Sequence, residues 1–222
     1  MRDVLQWQQL QHKIHRSCHT MIHHNNNLYL FFGEAQEEYI FSKLIVKYNL
    51  NEDSITYIEK KKSPFTRRNH ITMKLKNFVY LFGGDYCTID SNETSCFNLN
   101  TNEWNQIEFS KIDTQPSPRR YHCGAVDEKN ETIYIFGGNH FTPQKKHFND
   151  LWELKNDKWD EIKPIDDKKP SERRYSAMFH IKNTCIYLGL IEMYQYNISL
   201  NIWKLLIHMV IYLLQDLGMD VL

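Results

Sequence analysis

Two arginines, a histidine and a double glycine stand close together in "SPRRYHCGAVDEKNETIYIFGGNH", residues 117–140. A glycine pair after an apolar run can cradle a phosphate, and arginines offer forked donors to carboxylates or phosphates. A phosphate cradle also requires the glycine loop to open a helix, with Lys-Ser/Thr or G-x-G-x-x-G spacing. No helical period follows Gly84 or Gly138. Histidines suggest metal, since His12, His15, His19, His23 and His24 are neighbours in sequence. No cysteine partners complete a zinc site, however. His19, His70 and His122 also recur at one repeat position, where Ser176 stands in the fourth copy. These residues therefore predict no nucleotide, metal or other cofactor, and no catalytic residues.

The elements that position these residues recur. Apolar runs appear as "LYLFFGE" (28–34), "FVYLFGGD" (78–85), "IYIFGGN" (133–139) and a damaged "IYLGL" (186–190). Their spacing is about fifty residues, which is the mark of a repeat architecture. Arginine leads into each copy, as Arg16, Arg67-Arg68, Arg119-Arg120 and Arg173-Arg174. After the glycines come "LIVKYNLNEDSITYI", "SCFNLNTNEWNQI", "DLWELKNDKWDEI" and "MYQYNISLNIWKLL", each with an Asn/Asp turn. Trp104, Trp159 and Trp203 occupy one slot after that turn, and Ile55 replaces them in the first copy. "LQWQQL" (5–10) matches this last element again, so residues 4–10 with Trp7 read as the final strand of another unit. Five of the six prolines fall between units, where a missing N–H does no harm.

Each copy predicts four short strands. The second is apolar throughout, as when both faces are buried, and the third and fourth alternate. A four-stranded sheet with two apolar faces must stack between like sheets, and radial stacking gives a β-propeller. In that frame Gly83, Gly84, Gly137 and Gly138 are structural: the chain leaves the sheet between packed blades and needs residues without Cβ.

The pattern of arginine and histidine, apolar strand, Gly-Gly, aromatic and Trp resembles the kelch repeat, and the resemblance covers roughly residues 4–206. It implies an all-β propeller of four-stranded kelch blades over 16–58, 67–107, 119–162 and 173–206, with the remnant at 4–10 and a degenerate tail at 207–222. Kelch propellers usually have more blades than this chain offers. An incomplete ring is therefore expected, with self-association through open blade edges as one consequence. The resemblance also implies a non-catalytic protein-interaction scaffold of cytoskeletal, GTPase-effector or ubiquitin-ligase-receptor type. A metal- or sugar-binding propeller enzyme is the alternative.

Strand order places the linkers between blades on the same rim as the loops 34–43, 85–93 and 139–149. Variable loops on a rigid frame are where binding resides. The partner-binding candidates are Arg67, Arg119 and Arg173 with Asp85, Tyr86, Asp90, His140, Phe141, Lys145, Lys146 and His147. In each arginine pair the second is expected to be structural and the first exposed. The stretch "KKKSPFTRR" (60–68) reads as a solvated linker, with a nuclear import signal or polyanion patch as the alternative.

Lys+Arg and Asp+Glu are both 27, so the chain has no global field for nucleic acid or an acidic membrane. A protein or peptide partner suits the mixed rim better. Five dispersed cysteines without framework spacing, and no apolar signal-like start, predict a cytoplasmic or nuclear location.

Overall fold

The structure is a computed structural model. It describes residues 14–35, 43–107, 109, 114–141, 145–166, 168–189 and 192–208; the expected strand at 4–10 and most of the tail lie outside these. The described residues contain strands and no α-helix. Four antiparallel sheets of four strands follow one another along the chain, each in sequence order across the sheet. Blade 1 comprises Thr20–His24, Asn27–Phe31, Ile45–Asn49 and Ser54–Ile58. Blade 2 comprises Ile71–Leu75, Phe78–Phe82, Thr94–Asn98 and Glu103–Gln106. Blade 3 comprises Cys123–Asp127, Thr132–Phe136, Leu151–Lys155 and Lys158–Ile162. Blade 4 comprises Ala177–Ile181, Thr184–Leu188, Glu192–Asn197 and Ile202–His208.

Local chemistry fixes the hairpins. Between the third and fourth strands, the Asn49 side chain accepts the backbone N–H groups of Asn51 and Glu52, Asn98 those of Asn100 and Thr101, and Asn197 that of Leu200. These Asx turns explain the recurring asparagine. Blade 3 solves the problem differently. Asn156 and Asp157 both take positive φ, 50° and 57°, in a two-residue loop whose twist matches the strands.

The core lies between blades. Trp104 of blade 2 packs on Phe31 and Phe32 of blade 1, with ring centroids 6.0 and 5.7 Å apart. Trp159 packs on Phe82 at 5.1 Å and Trp203 on Phe136 at 5.3 Å, the same contact moved on by one blade. All three tryptophans are buried. The second strand of blade 3, Thr132–Phe136, is buried at every position, because its two faces feed two different blade interfaces. The first strands of successive blades lie beside one another, as radial stacking requires. Ile55, in the tryptophan slot of blade 1, is only half-buried.

The second glycine of each pair in blades 2 and 3, and the single Gly33 in blade 1, is a staple between blades. Gly33 N donates to the Arg67 carbonyl (3.0 Å), Gly84 N to that of Arg119 (2.9 Å) and Gly138 N to that of Arg173 (3.0 Å), each in the next blade. At Gly84 φ is +87°, and a Cβ there would sit 2.6 Å from the Arg68 carbonyl oxygen. Gly84→Ala therefore combines left-handed strain with a clash against backbone, and it should cost about 2 kcal/mol in a urea unfolding curve. Gly189 has no positive φ, and the one close approach to a Cβ there is the flexible end of Arg173 at 2.9 Å, with the Glu192 carbonyl oxygen at 3.4 Å and the Tyr187 ring at 3.5 Å, so Gly189→Ala should cost well under half as much. Equal costs would mean that the staple contributes nothing.

Candidate partner-binding rim

The rim is built from one backbone pattern. The residue before each repeated histidine slot takes positive φ: Cys18 (53°), Asn69 (58°), Tyr121 (56°) and Tyr175 (58°). Their backbones form a relay across all four blades. Asn69 N donates to Cys18 O (3.2 Å), Tyr121 N to Asn69 O (3.2 Å) and Tyr175 N to Tyr121 O (3.1 Å). His70 and His122, one residue on, are buried against the glycine pairs. Burial, reinforced by the charges of Arg67 and His19, holds His70 down at about 3. Burial, followed by the charge of Arg119, holds His122 well below its ordinary value. Both imidazoles are thus neutral packing groups.

The arginine pairs are arranged opposite to the expectation from sequence. Arg67 and Arg119, expected to be exposed, are 2% and 0% exposed. Their Nε atoms donate to the carbonyls of Phe65 (2.9 Å) and Ser117 (3.0 Å), and Nη1 reaches the Gly83 (3.2 Å) and Gly137 (3.0 Å) carbonyls. Arg67 pairs with Glu93, and Arg119 grips Asp150 with two bonds of 2.7 Å. Burial works to raise the pKa of Asp150, yet the bonds from Arg119 hold it below the usual carboxylate range. Arg16, in the same slot, donates to the Phe32 and Leu44 carbonyls, at 3.3 and 2.8 Å. Arg173 is half-buried, 2.8 Å from Glu192. The first arginine is therefore the one that clamps the strand exit.

The second arginines face the rim and form a ladder of alternating charge. Arg68 reaches Glu34 at 2.8 Å and Asp85 at 3.3 Å. Arg120 reaches Asp85 at 3.1 Å and Asp90 at 3.4 Å, and His140 Nδ1 lies 2.9 Å from Asp90. Phe141 N donates to Asp90 as well, and Asn69 Nδ2 to Asp85 at 2.6 Å. Asp85 and Asp90 were candidates for the partner, but their side chains are wholly buried and engaged within the rim.

Each second arginine thus meets the residue after the glycine pair of the preceding blade, Glu34 for Arg68 and Asp85 for Arg120. In blade 3 that residue is Asn139, which is neutral and 3% exposed, with its Oδ1 lacking a hydrogen-bond partner among the described residues. Arg174 is accordingly exposed, and no carboxylate pairs with it among the described residues. It lies 5.0 Å from the Tyr175 ring centroid and 5.9 Å from that of Tyr121. The two tyrosine rings are 4.2 Å apart, and burial, with the bond to Tyr175, pushes Tyr121 up to about 12. Arg120 stands 4.8 Å over Phe141.

Of the other candidates, Tyr86 and Phe141 are 50% and 45% exposed, Lys145 and Lys146 are exposed, and His140 and His147 are half-buried. Arg174, Tyr121, Tyr175 and Asn139 were not singled out from sequence. The signal was present, however: Glu34, Asp85 and Asn139 occupy one slot, and its charge vanishes in the third copy. Among the described residues no three His, Cys, Asp or Glu side chains gather to hold a metal ion. No helix of these residues is long and apolar enough to cross a membrane.

Four-stranded antiparallel blades, tryptophans shared between blades and an arginine–glycine staple define a β-propeller repeat protein. Residues 3–189 match the family described as the KLHDC2/KLHL20/DRC7 Kelch-repeats domain, and the chain belongs to the kelch-repeat family. It is 32% identical over 75 residues to Leucine-zipper-like transcriptional regulator 1 homolog of Drosophila melanogaster, covering 34% of this chain and 8% of that protein. It is 28% identical over 100 residues to Dynein regulatory complex subunit 7 of Chlamydomonas reinhardtii, covering 44% and 8%. It is 27% identical over 133 residues to human Kelch domain-containing protein 10, covering 57% and 29%. The chain spans less than a third of each of these relatives. Kelch repeats generally serve as protein-interaction scaffolds.

Proposed function

We propose that this protein binds a protein or peptide partner through the rim that carries Arg174, without chemistry of its own, and that the partner contributes an acidic side chain there. The observation that carries this reading is the break in the charge ladder. Arg68 and Arg120 are met by carboxylates, while the slot that would supply one for Arg174 holds the neutral Asn139, and Arg174 is exposed over two tyrosines. An incoming carboxylate would continue the alternation at a site where forked donors and aromatic faces are already in place. Tyr86, Phe141 and Tyr175, 50%, 45% and 65% exposed on the same rim, supply the aromatic area on which interfaces rely. The five cysteines are all free and three are buried, which suits a reducing compartment such as the cytoplasm.

The test is capture of partners from cell extract by immobilised protein, comparing wild type with Arg174→Glu combined with Tyr175→Ala. The variant should lose at least one wild-type partner more than tenfold. Its melting midpoint should stay within about 2 °C, since exposed substitutions cost little. An unchanged set of captured proteins would remove the rim from the account.

A further inference from the structure

The outer strand of a blade turns the backbone groups of alternate residues away from its sheet. In blade 2, Ile107 N donates to Thr94 O at 3.2 Å, so Ile107 and Asn105 face the third strand. The N–H and C=O groups of Trp104 and Gln106 therefore face outward. In the two later blades the incoming linker bonds to this edge. Thr114 Oγ1 donates to Trp159 O at 3.4 Å, Trp203 N to Asp166 at 3.1 Å, and Ile165 N to Asn201 O at 2.9 Å. The linker 59–66 is shorter than 107–118 and 163–172. Among the described residues no hydrogen bond joins it to the backbone of Trp104 or Gln106. A groove of about 830 Å³ remains there, against about 280 Å³ where Lys163, Pro164 and Asp166 stand beside Trp203.

The groove is basic. Lys43, Lys60, Lys61 and Lys62 line it together with Trp104, Asn105 and Gln106. Lys60 is held by Glu103 at 2.9 Å, and the lining carboxylate Glu93 is taken by Arg67. Lys43, Lys61 and Lys62 are exposed, and no carboxylate pairs with them among the described residues. Glu59 alone opposes them. Phe65, 84% exposed, lines the same groove.

We infer that this groove takes an extended acidic segment of a partner protein, which adds a strand to the outer edge of blade 2. Outward N–H and C=O groups on a sheet edge are a template for another strand. Charge selects which strand: carboxylates on the segment meet Lys43, Lys61 and Lys62, while a basic segment would be repelled. Phe65 offers apolar area to one large side chain of the segment. None of these residues belongs to the site at Arg174. The stretch 60–68 thus divides by role, with Arg67 and Arg68 engaged in the fold and Lys61 and Lys62 left for the partner.

The test uses the full chain and a labelled peptide that alternates glutamate with valine, followed by fluorescence anisotropy. A peptide alternating glutamate with proline carries the same charge but lacks every second N–H, and it should bind at least tenfold more weakly. Lys61→Glu combined with Lys62→Glu should weaken the glutamate–valine peptide at least tenfold. On the wild type, saturation with that peptide should slow amide exchange at Trp104 and Gln106 at least tenfold while leaving Lys158–Ile162 unchanged. No binding of the glutamate–valine peptide overturns the inference. Equal binding of the two peptides does so as well, because charge alone then holds them. So does a single-stranded RNA of equal charge bound as tightly through the same lysines, which would make the groove a polyanion patch.

Discussion

Arg119→Ala should cost about 3 kcal/mol of folding stability, the largest loss expected from any single truncation on the rim. The guanidinium is fully buried, and removing it breaks bonds to two backbone carbonyls, Ser117 and Gly137, and both bonds to Asp150. It also empties the space 4.1 Å above the Phe148 ring. What remains is the greater cost. Among the described residues Asp150 keeps one side-chain donor, the Trp152 indole at 2.7 Å, and its side chain is 20% exposed, too little for water to replace the arginine. The lower half of the range for breaking a buried ion pair applies because of that residual exposure. Arg119→Lys should recover little, since an ammonium cannot span both carboxylate oxygens and two carbonyls at once. Combining Arg119→Ala with Asp150→Asn should recover part of the loss, because the orphan is then neutral. Urea unfolding at pH 7.5 measures all three variants. A loss below 1 kcal/mol in the single variant would mean that the clamp is ornamental and the strand exit is held by the glycine staple alone.

This arginine also marks where sequence reading stops. Two adjacent arginines at a fixed slot must point to opposite sides of an extended segment, so one goes in and one out. Sequence carries no phase for that choice. The phase comes from the bridges Arg68↔Asp85 and Arg120↔Asn139, which pair the second arginine with the residue after the glycines and turn the first toward the blade. Asp85 and Asp90 show the same limit. In a polar loop they read as surface acids, and they are buried because partners distant in sequence gather on them, Arg68 and Arg120 on Asp85 and Arg120 and His140 on Asp90. The left-handed slot held by Cys18, Asn69, Tyr121 and Tyr175 was invisible for another reason: four unlike side chains share it because a backbone relay, not side-chain chemistry, sets it. By contrast, the glycine pairs and the tryptophan slot were legible, since close approach and large buried area each admit very few residue types.

Acid should destabilise this fold well above the pH at which carboxylates protonate. His70 and His122 are buried, with folded pKa values of about 3 and well below 6.5, whereas an unfolded chain titrates near 6.5. Between those values the unfolded state binds protons that the folded state refuses, so stability rises with pH and is lost as pH falls through 6.5. Taken from pH 7.5 to pH 5, His70 should withdraw about 2 kcal/mol, and His122 adds to the loss in the same direction. Burial also lowers His19, which adds in the same direction. Asp127 and Asp150 do not compete in this window, because both are held below their ordinary values and their contribution is lost only at lower pH; Glu153, which burial raises, works in the opposite sense and offsets part of the loss. Geometry agrees with the sign. Among the described residues both ring nitrogens of His122 lack a hydrogen-bond partner, and the ring packs edge-on to Phe82 at 5.2 Å, so none of these residues would receive the protons of an imidazolium there. Urea midpoints measured every half unit from pH 7.5 to pH 5 should fall steadily, and His122→Gln should flatten the slope whatever it does to stability at pH 7.5. A profile that stays level to pH 5 in the wild type would place both histidines in contact with water and undo the packing role assigned to the repeated histidine slot.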